Sequence, residues 1–271
     1  MRKLILGFFI LLPILMSCEE DEDKMIQTDL TKEAGELFSI TQDWNESLYF
    51  AMISWEQYHQ FDTVGLPGCP DILLDEKFKR VTLSFPGSSA CLQAGPYQRA
   101  GELIIQFDTA VASPRQKWTM EYNNYLFEEN SLQGIRTFRS DNQATFVENF
   151  TNVFEKTETE LSTEFSGTFL HERKYTNDSL TSFSSTGKIN GVNAAGREFE
   201  IDISTPLYHT ISCYEQNEIL PKTGAENWKV ARGANSSVTY KVTYDPLTEE
   251  CKVAANAILP DGKKLLLNQS N

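Results

Sequence analysis

The cysteine at position 18 stands in a sequence context that directs lipid attachment. It follows Leu15-Met16-Ser17, and this motif is preceded by the basic pair Arg2-Lys3 and an apolar run. A basic start, a short apolar core and a small residue before the break are typical of a cleaved secretory leader. The apolar run of about 13 residues is too short for the ~20 that a bilayer crossing needs. The pattern is that of a bacterial lipobox, so we predict that residues 1–17 are removed and that the Cys18 thiol is acylated.

Residue types that are common in catalysis lack a recognisable spacing. The histidines, His59, His171 and His209, are far apart, so no His-Glu-x-x-His zinc motif exists, and we predict ordinary surface or hydrogen-bonded roles. The serines of the 87–91 segment lack the Gly-x-Ser-x-Gly spacing of a nucleophile turn. Adjacent acids such as Glu128-Glu129 are not thereby placed across a cleft, as glycoside hydrolysis requires. We therefore predict no catalytic residue, no metal site and no cofactor.

Besides Cys18, the chain holds Cys69, Cys91, Cys213 and Cys251. An even number of cysteines in an exported chain predicts disulfides, and four cysteines allow three connectivities. Pairing of sequence neighbours would close loops of about 20 to 40 residues and stabilise the fold by roughly 3 kcal/mol per bridge. Buried free thiols are the alternative in a reducing environment.

The charge balance excludes some partners. The chain carries 38 acidic against 24 basic residues, a net charge of −14. Nucleic-acid binding needs a basic surface, and anionic lipid head groups attract basic segments. We therefore predict no nucleic acid partner and a membrane contact through the N-terminal lipid only.

Two elements are predicted before the glycine-rich segment at 65–68. Residues 18–30 are acidic and polar without periodicity, which is typical of a flexible tether. Residues 31–64 form a helical segment, in which Ser39 and Gln42 fit a capping box. Its apolar residues recur at threes and fours on one helical face: Leu37, Trp44, Leu48, Ala51, Trp55 and Tyr58.

From residue 65 to residue 271 the period is two, which indicates strands with one buried and one solvated face. The alternating apolar sets begin at Val81, Leu103, Trp118, Phe199 and Val238. A final hairpin is predicted around Pro260-Asp261-Gly262. The fold class is therefore mainly β, with antiparallel sheets arranged as a sandwich or an extended meander and one N-terminal amphipathic helix.

The segment 144–161 combines conflicting signals. Phe146, Phe150 and Val153 have spacings that suit a helix, whereas the many Thr and Asn residues favour strand or turn. We favour a strand and keep the helix as the alternative.

Several stretches resemble a family of uncharacterised Bacteroidota lipoproteins. They include 81–87, with Cys91 following, the Arg99-Ala100-Gly101 strand, the Tyr122-Asn123-Asn124-Tyr125 strand and the segment 132–138. The later segments 196–213 and 238–251 are also similar to that family. The resemblance covers roughly residues 65–268 and implies a mostly antiparallel all-β fold without an established activity. It also implies the pairs Cys69–Cys91 and Cys213–Cys251.

Two further features are similar to those of Bacteroidota lipoproteins. The acidic run 19–23 resembles an export signal to the outer leaflet of the outer membrane, and a periplasm-facing anchor is the alternative. Thr63, Thr109 and Ser179 each follow Asp and precede an aliphatic residue, as do the O-glycosylation acceptors of that phylum.

Together these features predict a surface-exposed, lipid-anchored, non-catalytic module that binds a glycan, a peptide or an envelope protein. A secreted glycan-active hydrolase and a structural or assembly factor of the outer membrane are the alternatives.

Overall fold

The fold is one antiparallel sheet that curves around a long helix. The structure is a computed structural model, and it describes residues 28–61, 65–87, 95–110, 115–157, 161–177 and 179–268. The helices are α1 (Leu30–Met52), α2 (Trp55–Tyr58) and α3 (Ile211–Glu215). The strands are β1 (Asp71–Asp75), β2 (Arg80–Pro86), β3 (Arg99–Phe107), β4 (Gln116–Phe127), β5 (Asn130–Ser140), β6 (Thr145–Lys156), β7 (Ser162–Thr176), β8 (Ser179–Val192), β9 (Glu198–Thr210), β10 (Thr223–Ala231), β11 (Ser237–Pro246), β12 (Val253–Ile258) and β13 (Lys264–Leu266).

Each strand pairs with its sequence neighbour, in the unbroken order β1 to β13. The predicted mainly β, antiparallel class is confirmed, and of its two forms the meander is correct. The predicted last hairpin is also confirmed, since β12 and β13 pair around the Pro260–Gly262 turn.

Helix α1 begins at Leu30, next to the predicted bound at residue 31, and its cap is not the predicted one. Asp29 caps it by accepting hydrogen bonds from the backbone N–H groups of Thr31 and Lys32, at 3.0 and 3.1 Å. The predicted capping box at Ser39 and Gln42 is therefore wrong. A capping box does exist at Ser54, which opens the short helix α2 after a break at Ile53.

The sheet encloses α1 from many directions. Phe50 packs edge to face on Phe85 of β2, while Glu33 accepts a hydrogen bond from Tyr240 of β11. Strands nine positions apart in the sheet therefore reach the same helix. This explains why the polar residues of α1 are buried together with the apolar ones: Glu33, Thr41, Asp43, Asn45, Glu46 and Ser47.

Bulges in successive strands supply the curvature. Gly101, Asn124, Gly134 and Asn152, in β3 to β6, have positive φ and accompany shifts in the strand register. A bulge bends its strand and increases the local twist. At Gly101 a Cβ atom would lie 2.0 Å from the Asn124 carbonyl oxygen, so glycine is required there.

The segment 144–161 contains strand β6, so the favoured prediction is confirmed. Its bulge shifts the register between Phe150 and Val153, which produces a spacing of three inside a strand. The inward positions also include Glu148 and Glu155, so charged residues interrupt the apolar alternation.

The end of the sheet where α1 begins is called the proximal end here. Because strands alternate in direction, the turns that follow β4, β6, β8, β10 and β12 all lie there. Arg197 and Arg232, from the turns after β8 and β10, both contact Glu33 of α1. These contacts fix the start of the helix to the rim of the sheet.

Candidate functional site

The interior holds a charged cluster centred on Glu148. Its Oε1 lies 2.5 Å from Arg136 Nε, and its Oε2 lies 3.0 Å from His171 Nε2. Trp44 of α1 donates its indole N–H to the same carboxylate at 3.2 Å. Burial opposes the ionisation of Glu148, but Arg136 and His171 outweigh it and lower its pKa. The cluster is therefore an ion pair with additional donors.

A serine extends this cluster into a triad-like series. Ser185 Oγ lies 2.8 Å from His171 Nδ1, whose other nitrogen faces Glu148. The order serine, histidine, acid is that of a nucleophilic triad. Ser185 and His171 both have 0% exposure, so substrate does not reach the hydroxyl in this conformation. Glu148 is also engaged by Arg136, and burial lowers the pKa of His171. The observed geometry is that of a packed hydrogen-bond network.

Other buried acids on or near α1 are held in the same way. Glu46 Oε1 accepts from Arg99 Nε and from the Tyr125 hydroxyl, both at 2.7 Å. Glu226 of β10 accepts from Trp228 Nε1 at 2.8 Å. Burial raises the pKa of Glu226 to about 7. These buried side chains connect α1 to β3, β4 and β10.

The other two histidines lie outside that series. His209 is buried, stacks on Phe183 and lies 3.3 Å from the Tyr214 hydroxyl. Burial lowers the pKa of His209 to about 3, so it is neutral near pH 7. His59 is partly exposed beside Glu76. The predicted surface-or-hydrogen-bonded roles describe all three histidines, although two of them are deep in the core.

A cleft of about 1420 Å³ opens at the proximal end. Its walls are the start of α1 and the turns after β8, β10 and β12. Arg197, Arg232 and Lys263 contribute positive charge, and Asp29 and Asp261 contribute negative charge. The lining thus offers hydrogen-bond donors, acceptors and both charge signs to a polar ligand. None of these lining residues forms a nucleophile–base pair among the contacts that the described residues make.

The predicted modification sites fall partly within the structure. Cys18, Thr63 and Cys91 lie outside the described residues, so lipidation at Cys18, glycosylation at Thr63 and the pair Cys69–Cys91 stay predictions. Thr109 and Ser179 are exposed, at the turn after β3 and at the start of β8.

Cys213 and Cys251 form a disulfide, with their Cα atoms 5.2 Å apart. The predicted pairing is confirmed for this half. The bond ties α3, which was not predicted from the sequence, to the turn before β12. Within the described ranges, no group of three or more His, Cys, Asp or Glu side chains converges as a metal centre.

The interior network was not predicted from the sequence. The available signal was a charged residue on the apolar phase of a strand, such as Glu148 between Phe146 and Phe150. Such a residue faces the core and needs a buried partner. The sequence does not identify that partner, because Arg136 and His171 reach it from neighbouring strands.

Comparisons with protein-family profiles, curated sequences and solved structures give no match for this chain. The resemblance to Bacteroidota lipoproteins therefore stays a prediction. Over the described part of the chain, no helix has both the length and the apolar character needed to span a bilayer.

Proposed function

We propose that this protein is a lipid-anchored cell-envelope module that binds a polar ligand without transforming it. The observation that carries the proposal is a contrast between interior and surface. The triad-like series at Ser185 is sealed in the core, whereas the large cleft at the proximal end is open and has a mixed polar lining. An open cleft with paired charges and no nucleophile–base pair among the described contacts favours recognition over catalysis.

A glycan or a peptide is the ligand class that fits this cleft best. Both present many hydroxyl or amide groups, which can hydrogen-bond to the donors and acceptors of the lining and to its charged groups of both signs. Arg197 and Arg232 are held by Glu33, so they present directed N–H groups and little net charge. A strongly anionic polymer is disfavoured by the net charge of −14.

The anchor places the cleft with respect to the membrane. Twelve residues from Cys18 to the start of α1 span at most about 40 Å when fully extended. The cleft surrounds the start of α1, so an anchored protein holds it near the membrane. Display on the outer face of the outer membrane is the location that we propose, on the basis of the acidic run 19–23.

The anchor and location are tested together in cells. Full-length wild type should incorporate labelled palmitate, fractionate with the outer membrane and be cleaved by protease added to intact cells. Cys18→Ala should lose both the label and the membrane association. A Cys18→Ala protein that still fractionates with membranes would refute the anchor, and protection of wild type from protease would place it on the periplasmic side.

Binding at the cleft is tested with a residue that fills it. Ala234 lies in the turn after β10 and lines the cleft, so Ala234→Trp should obstruct the ligand without touching the core. The matched control is Ala110→Trp, in an exposed turn at the opposite end of the sheet. We expect retardation of the protein in native gels that contain one of a panel of soluble polysaccharides, or selection of a peptide from a display library. Ala234→Trp should abolish binding and Ala110→Trp should retain it. Equal binding by both variants would exclude this cleft.

The second candidate function is hydrolysis, favoured only by the series Ser185–His171–Glu148. An opening motion would be needed to expose the hydroxyl. Wild type and Ser185→Ala should therefore be compared on p-nitrophenyl esters, and we expect no difference. Hydrolysis that depends on Ser185 would replace the binding proposal. The assembly-factor alternative has less support, since the two edge strands, β1 and β13, are short.

A further inference from the structure

Two buried carboxyl groups face each other at the proximal end. Asp43 of α1 is 2% exposed and Glu155 of β6 is 4% exposed. The side chains are within hydrogen-bonding reach of each other. In the part of the chain that the structure describes, no lysine, arginine or histidine forms an ion pair with either group. This differs from Glu46 and Glu148, each of which has an arginine.

Neutral hydrogen-bond donors reach only some of the carboxyl oxygens of this pair. Ser39 Oγ donates to Glu155 Oε1 at 3.1 Å, and Asn130 Nδ2 donates to Asp43 Oδ2 at 3.1 Å. Among the described residues, Glu155 Oε2 is buried and has no hydrogen-bond partner other than the neighbouring carboxyl of Asp43. Two ionised carboxylates have only lone pairs to offer each other. A buried acceptor without a donor is costly, so either a shared proton or a cation has to lie between the two acids.

The surroundings add to that requirement. Glu46 on the same helix and Glu128 in the turn after β4 repel negative charge on Asp43. Glu36, one turn before Ser39, does the same to Glu155. Burial and this repulsion raise the pKa of both carboxyls, that of Glu155 to about 7. The neighbouring acids on α1 and in the turn after β4 therefore oppose two negative charges on the pair.

We propose that this pair is a binding site for one Ca²⁺ ion. Its protein ligands are two carboxylates, a hydroxyl and a carboxamide: Asp43, Glu155, Ser39 and Asn130. Rotation of the Asn130 carboxamide replaces its Nδ2 with its Oδ1 as the inward atom. After that rotation all the ligand atoms are oxygen, which suits a hard cation.

Calcium fits this set better than magnesium. Ca²⁺ accepts irregular geometry and a mixture of carboxylate, neutral oxygen and water, whereas Mg²⁺ demands a near-ideal octahedron. Ser39 and Asn130 are half-buried, so the site has a path to solvent for the ion and its waters. With two carboxylates the expected Kd is about 0.1–1 mM, the range of extracellular modules. The site is separate from the cleft and does not depend on the proposed function.

The test uses the purified full chain, stripped with EDTA and dialysed, and titrated with CaCl₂ or MgCl₂ at pH 7.5. We expect calorimetry to give one Ca²⁺ per chain, and the melting temperature to rise with Ca²⁺ and much less with Mg²⁺. Glu155→Gln should weaken Ca²⁺ binding by about 100-fold or more, since even outer-shell changes cost 10- to 100-fold. Asp43→Asn provides a second variant with the same expected loss.

The matched control is Glu164→Gln, which removes one exposed carboxylate from the neighbouring strand β7. It should bind Ca²⁺ as wild type does, which separates a site from general charge attraction. Wild type that shows neither heat nor a thermal shift up to 10 mM Ca²⁺ would overturn the proposal and identify a shared proton between the acids. Equal weakening in Glu164→Gln would also overturn it.

Discussion

Replacing Arg136 with methionine should destabilise the protein more than any surface charge change. Methionine keeps much of the aliphatic volume but removes the guanidinium that lies 2.5 Å from Glu148. Arg136 Nη1 also donates to the Trp44 carbonyl at 3.0 Å and to Ser47 of α1. The substitution thus leaves a buried carboxylate without its main counter-charge and releases two acceptors on the helix.

The expected magnitude follows from burial. Arg136 is 1% exposed and Glu148 is 0% exposed, so solvent does not take over the lost pairing. Removal of one partner of such a pair costs about 3–5 kcal/mol in the free energy of unfolding. The double variant Arg136→Met with Glu148→Gln should lose less stability than Arg136→Met alone, since it no longer buries an uncompensated charge.

Urea unfolding, followed by tryptophan fluorescence, measures these differences as shifts in the midpoint at constant slope. The control is Lys188→Met, which breaks a pair with Glu200 on the outer face, where the lysine is 53% exposed. We expect that variant to lose less than about 1 kcal/mol. An Arg136→Met loss as small as that of Lys188→Met would refute the reasoning, and so would a double variant less stable than the single one.

Three other outcomes test the fold. The pKa of Glu226 is raised from 4.5 to about 7, so between these pH values the native state holds more protons than the unfolded state. Wild type should therefore lose stability as the pH rises through this range. Glu226→Gln should reduce this loss, measured as the difference between urea midpoints at pH 5 and pH 8. Gly101→Ala should lower the free energy of unfolding by several kcal/mol, because its Cβ would meet a carbonyl oxygen at 2.0 Å. Gly196 has a similar φ but open space around it, so Gly196→Ala should lower the free energy of unfolding by only about 1–2 kcal/mol in thermal or urea melts. Non-reducing mass spectrometry should find Cys213 linked to Cys251, and free thiols at both positions would contradict this pairing. The bridge closes a separation of 38 residues, so its reduction should lower the free energy of unfolding by about 4 kcal/mol.

The strands were predictable because their period of two survives in most of them. In β2 and β11 the inward residues are all apolar or tyrosine, so the sequence alone marks the buried face. In β6 the bulge at Asn152 and the inward Glu148 and Glu155 interrupt that period, and composition was needed to decide. Bulges depend on the neighbouring strand as well as on the local sequence, so the curvature of the sheet was not predictable.

The interior network was missed for a related reason. A polar helix face normally indicates solvent, so Glu33, Asp43 and Glu46 suggested an exposed side. The curved sheet buries that side too, and the partners of these residues, on strands and turns, lie between 53 and 207 positions away in sequence. Periodicity assigns a residue to a face but does not identify what covers that face. The Asp43–Glu155 site could not be foreseen for the same reason.

The buried polar residues of α1 explain how the helix is held in one position. The sheet presents it with a wall of aromatic and aliphatic side chains, and such packing alone tolerates small rotations and shifts. Hydrogen bonds to charged groups do not tolerate such rotations and shifts. Rotation by one residue, about 100°, would move Glu46 away from Arg99 and leave two buried charges unpaired, at a cost of several kcal/mol. Glu33 acts in the same way at the other end, where Arg232 and Tyr240 hold the first turn. The interior charges therefore set the position of the helix, and because the first turn of α1 forms a wall of the cleft, they also set the shape of the proposed binding site.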